Sequence, residues 1–458
     1  MIPHPLHQLP DGTMEAIALI SNLNQCFVTG FANLDRNQEI LASLCRVFTG
    51  TPLQQPLTEA VAAIKLQEFQ ERHFAVLAAA RASVQGSIFD TLQQQTRAVL
   101  GRTMVPEVRF APPRQAPAQI AVLLKSIRHW LMEIALVGFT RLDTATLTPF
   151  IATLGQIQAE PLLMRQAALL TGFFNELSGL VPVADISNIP VYRWVDLWTQ
   201  AMVGALHPSL PDIPTIVSGK LELLGLDLRH HANLVSFTAY GLLTTDTCQL
   251  VRITLSAYKV DAIAGKEIWL LFPNAAPLLE AFAQNRALYL NDAQILSTGD
   301  LLWHGNSEMR DKYDLMSLAA AFFTPNATKT ANPCLIYPGD RHPVQLAEPI
   351  FLQDYTIQDG LILSWGDSAI PIATERISPL SEITREAIAA STQIFGLLRF
   401  DAGGFSVQPL AIALQSAKAK PKTIFTGQTA ADILKKPPKT STVAILQERA
   451  SRLLRQKS

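Results

Sequence analysis

The sequence predicts an α+β protein: a helical N-terminal bundle, then a mainly antiparallel β-rich region, then a basic tail ending in an amphipathic helix. Three observations carry that prediction. Apolar residues recur at helical spacing, with proline-marked joints, up to about residue 210. The period drops to two after the stretch HPSLPDIP. Lys and Pro dominate from about residue 416. The expected divisions are therefore 1–210, with a proline-rich joint near 105–118, then 215–415, then 416–458. A chain of 458 residues, 48% of them hydrophobic, is long and apolar enough to bury two or three separate cores.

The helical elements follow in order. Asp35 with Gln38 resembles a capping box; Ile40, Leu44 and Val47 then share a face, and Gly50 can end the helix. Residues 57–100 are rich in Ala and Gln and suit one long helix or two, with Gly86 as the expected interruption. The four prolines of PEVRFAPPRQAPAQ forbid continuous helical hydrogen bonding, so 105–118 is expected to be a linker or long loop. Ile120, Leu123, Leu124, Ile127, Leu131 and Ile134 then form one stripe. Thr148-Pro149 and Glu160-Pro161 have the form of helix starts, because proline at the first helical position sacrifices no hydrogen bond. The next helix is PVYRWVDLWTQAMVGAL, with Val191, Trp194, Val195, Trp198 and Met202 on one face. Trp194 and Trp198 are expected in the core rather than on a binding surface. No fixed repeat period is present, which favours a bundle over a solenoid.

In the β-rich region, Val235, Phe237 and Ala239 alternate with polar neighbours, as do Val251, Ile253, Leu255 and Ala257. A phase change near Leu223–Leu224 predicts a bulge. Ile268–Phe272 is expected as a buried strand, 276–284 as a short helix, and 288–303 as strands with a turn at Thr298–Asp300. Hairpins are expected over 350–365, turning at Asp359-Gly360, and at Gly403-Gly404, with a helix near 381–396 between them. Three strands, a helix and two more strands over 219–303 suit a small, partly open, OB-like barrel. An antiparallel sheet packed by helices is the alternative.

Charge is distributed unevenly. The whole chain carries −1, but residues 418–458 carry +8, which leaves −9 on the rest. Val443, Leu446, Ala450 and Leu453 form the apolar stripe of the terminal helix, with Arg449, Arg452 and Arg455 beside or opposite it. A helix of this kind on a tether suits docking into a partner's groove, or folding back onto its own chain. A second use of the charge is nucleic-acid binding, with Arg252, Tyr258 and Lys259 on a strand face and Lys418, Lys420, Lys422, Lys435 and Lys436 in the tail.

The sequence lacks a Walker A loop, a G-x-G-x-x-G fingerprint, a G-x-S-x-G elbow, an H-E-x-x-H motif and an EF-hand loop. Cys26, Cys45, Cys248 and Cys334 match no zinc-ribbon or C-x-x-C spacing. No cofactor or metal is therefore expected. The thiols suit a reducing, cytoplasmic compartment, and no membrane association is expected. Adjacent His230 and His231 point to opposite faces of a strand and cannot chelate one metal without a bulge. His304 with Asp300 and the 310–314 cluster RDKYD, or the carboxylate, guanidinium and imidazole of PGDRH at 338–342, are the candidate acid/base or anion-gripping groups.

The segments PVYRWVDLWTQAMVGAL and SGKLELLGLDLRHHANLVSFTAYGLL resemble accessory proteins encoded in bacterial gene clusters beside a MoxR-type AAA+ ATPase, a von Willebrand A protein and a SWIM zinc-finger protein. The resemblance covers about residues 190–303 and transfers no functional residue. The chain lacks Walker A, D-x-S-x-S and C-x-C…C-x-H, so the resemblance implies the remaining, non-catalytic component. The expected function is a non-enzymatic adaptor or scaffold in a multi-protein bacterial assembly. The alternatives are a single-strand-binding protein with an OB-like barrel, and an enzyme with a pocket between the two halves.

Overall fold

The computed structural model describes residues 8–33, 38–103, 117–206, 213–231, 233–365, 368–415, 421–436, 438 and 441–455. The N-terminal part is helical throughout: α1 (Thr13–Thr29), α2 (Gln38–Val47), α3 (Gln54–Lys65), α4 (Glu71–Val99), α5 (Ala118–Val137), α6 (Thr144–Leu147), α7 (Phe150–Gln158), α8 (Met164–Leu180) and α9 (Val191–Gly204). Trp194 and Trp198 of α9 are fully buried, and Trp198 Nε1 donates to the Leu131 carbonyl at 2.7 Å. The expected break at Gly86 is corrected. Gly86 lies inside α4, and the chain instead breaks at residues 66–70, where Gln67 takes φ 61°. A single helical glycine costs only about 1 kcal/mol against alanine. The burial of Phe74, Leu77, Ile88, Phe89 and Leu92 along α4 outweighs that. The capping box at Asp35 and most of the 105–118 joint lie outside the described residues.

A first antiparallel sheet follows: β1 (Thr215–His230), β2 (Leu234–Thr244), β3 (Cys248–Tyr258), then helix α10 (Ala276–Ala283), β4 (Arg286–Ile295) and β5 (Leu301–Leu302), with β6 (Ser307–Lys312) beside β4. The strand order is β3-β2-β1-β4-β5. A parallel bridge between Arg252 and Asp300 brings β5 back to β3, so the sheet nearly closes into a barrel. The long β1 pairs with β4 through its first half and with β2 through its second. The expected bulge is present, as a register shift between Leu223 and Gly225. Ile268–Phe272 is not a strand: Gly265–Leu271 form a 3-10 helix whose Ile268 and Trp269 face the barrel core. A short apolar run has no periodicity to separate strand from helix. Gly265 at φ 58° and Pro273 bound this one as a helical turn.

Helix α11 (Leu315–Phe323) leads to the second β region: β7 (Glu348–Gln353), β8 (Thr356–Gln358), β9 (Ile362–Trp365), β10 (Ser368–Pro371), α12 (Arg385–Ala389), β11 (Ser391–Asp401), β12 (Gly404–Leu414) and β13 (Lys422–Phe425). The expected 350–365 hairpin is confined to β8–β9. β7 pairs with β11 instead, and Asp354 at φ 57° separates it from β8. The expected helix over 381–396 shrinks to the five residues of α12. Ser391 onward is strand, because Ile394 and Phe395 are buried on opposite faces between β7 and β12. Taking β7 and β8 as one interrupted strand, the connectivity of the first sheet recurs. The order is β10-β9-β8/β7-β11-β12, with β13 added antiparallel on the outer side of β12; a helix lies between the third and fourth strands, and a parallel Ile372–Val407 bridge leads from β12 back toward β10.

Two apolar cores result. One joins the helices to Leu346, Leu363, Ile394, Val407 and Ile412 of the second β region. The other fills the first sheet and extends onto Phe351, Phe395, Leu397 and Leu410. The two faces of β11 and β12 therefore belong to different cores. β1 approaches them closely: a Cβ on Gly225 would sit 2.5 Å from Leu410 Cβ. The chain ends in α13 (Ala430–Lys435) and α14 (Thr442–Arg455).

Candidate functional site

The turn PGDRH grips the protein itself rather than presenting its side chains together to a ligand. Asp340 pairs with Arg165 of α8, Arg341 Nη1 lies 3.0 Å from Asp90 of α4, and His342 Nε2 lies 3.2 Å from Asp196 of α9. Asp196 also meets Arg81 Nη2 at 2.6 Å. Arg81 is 1% exposed and further donates to Asn24, Gln85 and Thr199. Burial pushes the Asp196 carboxyl up, but the His342 hydrogen bond and the Arg81 charge prevail and hold it well below the usual carboxylate range. At Asp90 burial prevails over Arg341, and the carboxyl is raised.

Two further buried clusters join separate parts of the chain. Glu348 Oε1 on β7 accepts from Arg97 Nη1 at 2.9 Å and from Arg102 Nη1 at 2.6 Å, at the C-terminal end of α4. Asp227 on β1 accepts from Arg399 of β11 at 3.2 Å and from Gln408 of β12 at 2.8 Å. Burial lowers the Arg102 and Arg399 pKa values, and the facing acids oppose it. These clusters tie the second β region to the helices on one side and to the first sheet on the other. Sequence reasoning did not single out Arg81, Arg97, Arg102, Asp196, Asp227, Glu348, Arg399 or Gln408. The signal available was a charge inside an otherwise apolar run, as with Arg399 between Leu398 and Phe400.

The expected nucleic-acid residues fare unequally. Arg252 is engaged with Asp300 at 2.9 Å and with the Thr298 and Leu335 carbonyls, so it fastens β3 to the β4–β5 turn. Lys259 is buried, whereas Tyr258 is 74% exposed. Lys435 pairs with Glu280 at 2.6 Å. Lys422 and Lys436 are exposed, and Lys418 and Lys420 lie outside the described residues. Exposed His230 and His231 close the β1–β2 turn. Partial burial, followed by Lys259 and His231, lowers the His230 pKa.

The acid/base candidates have separate structural partners. Asp300 holds Arg252, and exposed His304 lies 3.4 Å from Gln294. In RDKYD, Arg310 pairs with Glu308, Asp311 accepts from Tyr289, Tyr313 donates to the Leu223 carbonyl and Asp314 caps α11. A surface groove of about 570 Å³ lies between α10, β13 and α13. Its Glu280 and Lys435 pair with each other, and its Glu382 accepts from Gly427 and from the Thr429 amide and hydroxyl.

The terminal helix docks by its first turn. Val443 is buried in the first sheet's core, and the Thr442 amide donates to Glu267 at 2.9 Å. Ser441 caps the Ala444 amide. Ile445 at 43% and Leu446 at 36% exposure follow on the open side, with Arg449 exposed and Arg452 paired to Glu448. The side chains of Ala450, Leu453 and Arg455 lie outside the described residues. Among the described residues, no His, Cys, Asp and Glu cluster is placed to hold a metal, and no helix is long and apolar enough to cross a membrane. No protein-family model matches this chain, and no curated protein is similar to it.

Proposed function

We propose that this chain is a non-enzymatic adaptor that holds a helical bundle, a nearly closed barrel and a second β region in one fixed frame and presents its outer surfaces to other proteins. The observation that carries this is the use made of its chemistry-bearing side chains. The PGDRH turn, Arg81, Asp196, Arg97, Arg102, Glu348, Asp227 and Arg399 all form contacts between parts of the chain. The basic terminal helix, seated by its first turn with Leu446 and Arg449 outward, is the proposed partner contact. The sequence resemblance makes an AAA+ ATPase and a von Willebrand A protein the partners to try first. The test is pull-down from a host extract with the full-length chain and with a chain ending at Ala417. Loss of partners on truncation supports the tail as the contact. Identical partner sets exclude it.

A specific observation favours a second reading. Strand order 3-2-1-4-5 with return to strand 3, and a helix between strands 3 and 4, is the order of an OB barrel, whose β2–β3 face binds oligomers. On that face Tyr258 is open for stacking, and Ser236, Thr238, Thr254 and Ser256 line the outer surface. Single-strand DNA binding that weakens steeply with salt supports this reading, and none at about 50 mM salt excludes it.

A further inference from the structure

The backbone of β3 is satisfied along only part of its outer edge. Odd-numbered residues of β3 face β2, as the Lys259 amide donating to Asn233 continues to show. Even-numbered residues face the opposite edge, because amides alternate sides along a strand. There the Leu250 amide donates to the Asn332 carbonyl at 2.8 Å and the Arg252 amide to the Gly299 carbonyl at 3.0 Å. Both contacts are parallel bridges made by the chain's own loops. Beyond Arg252 the bridging stops. Among the described residues, no backbone group pairs with the outward amides of Thr254, Ser256 and Tyr258. Side-chain burial changes at the same point. Inward-facing Val251 and Ile253 are fully buried, whereas Leu255 and Ala257, which point the same way, are partly exposed. Among the described residues, the barrel wall is therefore open along 254–258.

We propose that this edge of β3 is a docking site for an extended segment of a partner protein, added as a parallel strand beside Thr254–Tyr258. The chain's own residues 299–300 and 332 already bridge the preceding stretch of the same edge in that direction, so a parallel partner would continue a pattern the molecule begins. Main-chain hydrogen bonds supply affinity in this mode, and pockets for alternate side chains supply selectivity. One set of partner side chains would cover Leu255 and Ala257 and should be apolar. The other would lie beside Ser256 and Tyr258 and can be polar. Residues 254–257 carry no charge, and Arg252 is engaged with Asp300, so the edge offers no cation to a phosphate backbone. This favours a peptide over a nucleic-acid strand. The proposal rests on the adaptor reading and names the kind of contact it makes.

The test uses the full-length chain and a displayed library of short random peptides. Enriched peptides should share apolar residues at alternate positions. Ser256→Pro should abolish their binding, because it removes an outward amide while leaving the β2 pairing intact. Ser256→Ala should bind as the parent does. Amide exchange on the parent chain gives an answer even if Ser256→Pro misfolds. The Thr254, Ser256 and Tyr258 amides should exchange fast in the free chain and slow when an enriched peptide is added. Four results overturn the proposal: no enriched peptide, binding that survives Ser256→Pro, amides already protected in the free chain, or self-association that Ser256→Pro abolishes. A Ser256→Pro chain that keeps every pulled-down partner removes the edge as the contact and leaves the adaptor reading standing. A parent chain that retains no partner at all removes the adaptor reading, whatever the library yields.

Discussion

Glu348→Gln is the sharpest probe of the seam between the helices and the second β region. The substitution keeps the shape of the side chain and removes its charge. Glu348 Oε1 is the shared acceptor of Arg97 and Arg102, and the three side chains are 8%, 5% and 14% exposed. Arg97 would retain two hydrogen bonds to the Thr103 carbonyl, and Arg102 one to the Phe323 carbonyl at 3.2 Å. Neither carbonyl carries a compensating charge, so two guanidiniums would be left buried with no anion among the groups they contact. Breaking a buried pair by removing one partner costs about 3–5 kcal/mol, mostly as the penalty of the charge left behind. The expected result is a loss of that size in urea unfolding followed by near-UV circular dichroism. Adding Arg102→Leu to Glu348→Gln should return part of it, because one stranded charge is removed. A loss below about 1 kcal/mol for Glu348→Gln would mean that the cluster is solvated as a surface pair is, and the clamp argument would fail.

The Asp196 carboxyl sits below its ordinary range in the folded chain, so its contribution is complete above about pH 5 and is lost progressively as pH falls further. Asp196→Asn should flatten the fall of melting temperature between about pH 5 and about pH 3, and an unchanged slope would refute it. Gly225→Ala should cost about 1–3 kcal/mol by overpacking against the Leu410 Cβ, and an unaltered melting temperature would deny the close approach. Burial pushes the Cys26 thiol up to about 12, so it should resist iodoacetamide at pH 8 until the chain is unfolded in urea, as read by mass spectrometry.

The parts legible in the sequence are those set by local rules. The α5 stripe from Ile120 to Ile134, the paired tryptophans of α9 and the two-residue period of β2 and β3 are each written within one element. So is the bulge, because a slipped strand changes the phase of its apolar residues at Leu223–Leu224. The errors fall where local preference and tertiary context disagree. Residues 385–396 begin with the helix formers of REAIAA, yet Ile394 and Phe395 go to strand because two neighbours offer ladder partners on either side. The terminal-helix stripe was legible as a stripe, but its division into a seated Val443 and an open Leu446 was not. That division depends on the 3-10 turn at Gly265–Leu271 and on Glu267, far away in sequence.

The clamps were illegible for a stronger reason. Arg97 and Glu348 are 251 residues apart, and Asp227 and Arg399 are 172 apart, so no window of sequence contains both members. Each member taken alone looks like an ordinary polar interruption. Their placement nevertheless has a physical logic. The two β regions share a strand order, and apolar faces alone discriminate weakly between alternative docking partners. A buried charge strongly disfavours any arrangement that leaves it unpaired. Glu348, Arg341 and His342 belong to the second β region and its approach, and they match Arg97, Arg102, Asp90 and Asp196 on the helices. Docking the first sheet there instead would leave Arg97 and Arg102 buried without a counter-charge, so this pair of charges favours the second β region against the bundle. Among the described residues, no β2 or β3 residue joins the core shared by the helices and the second β region, and Tyr258 at the end of β3 is 74% exposed.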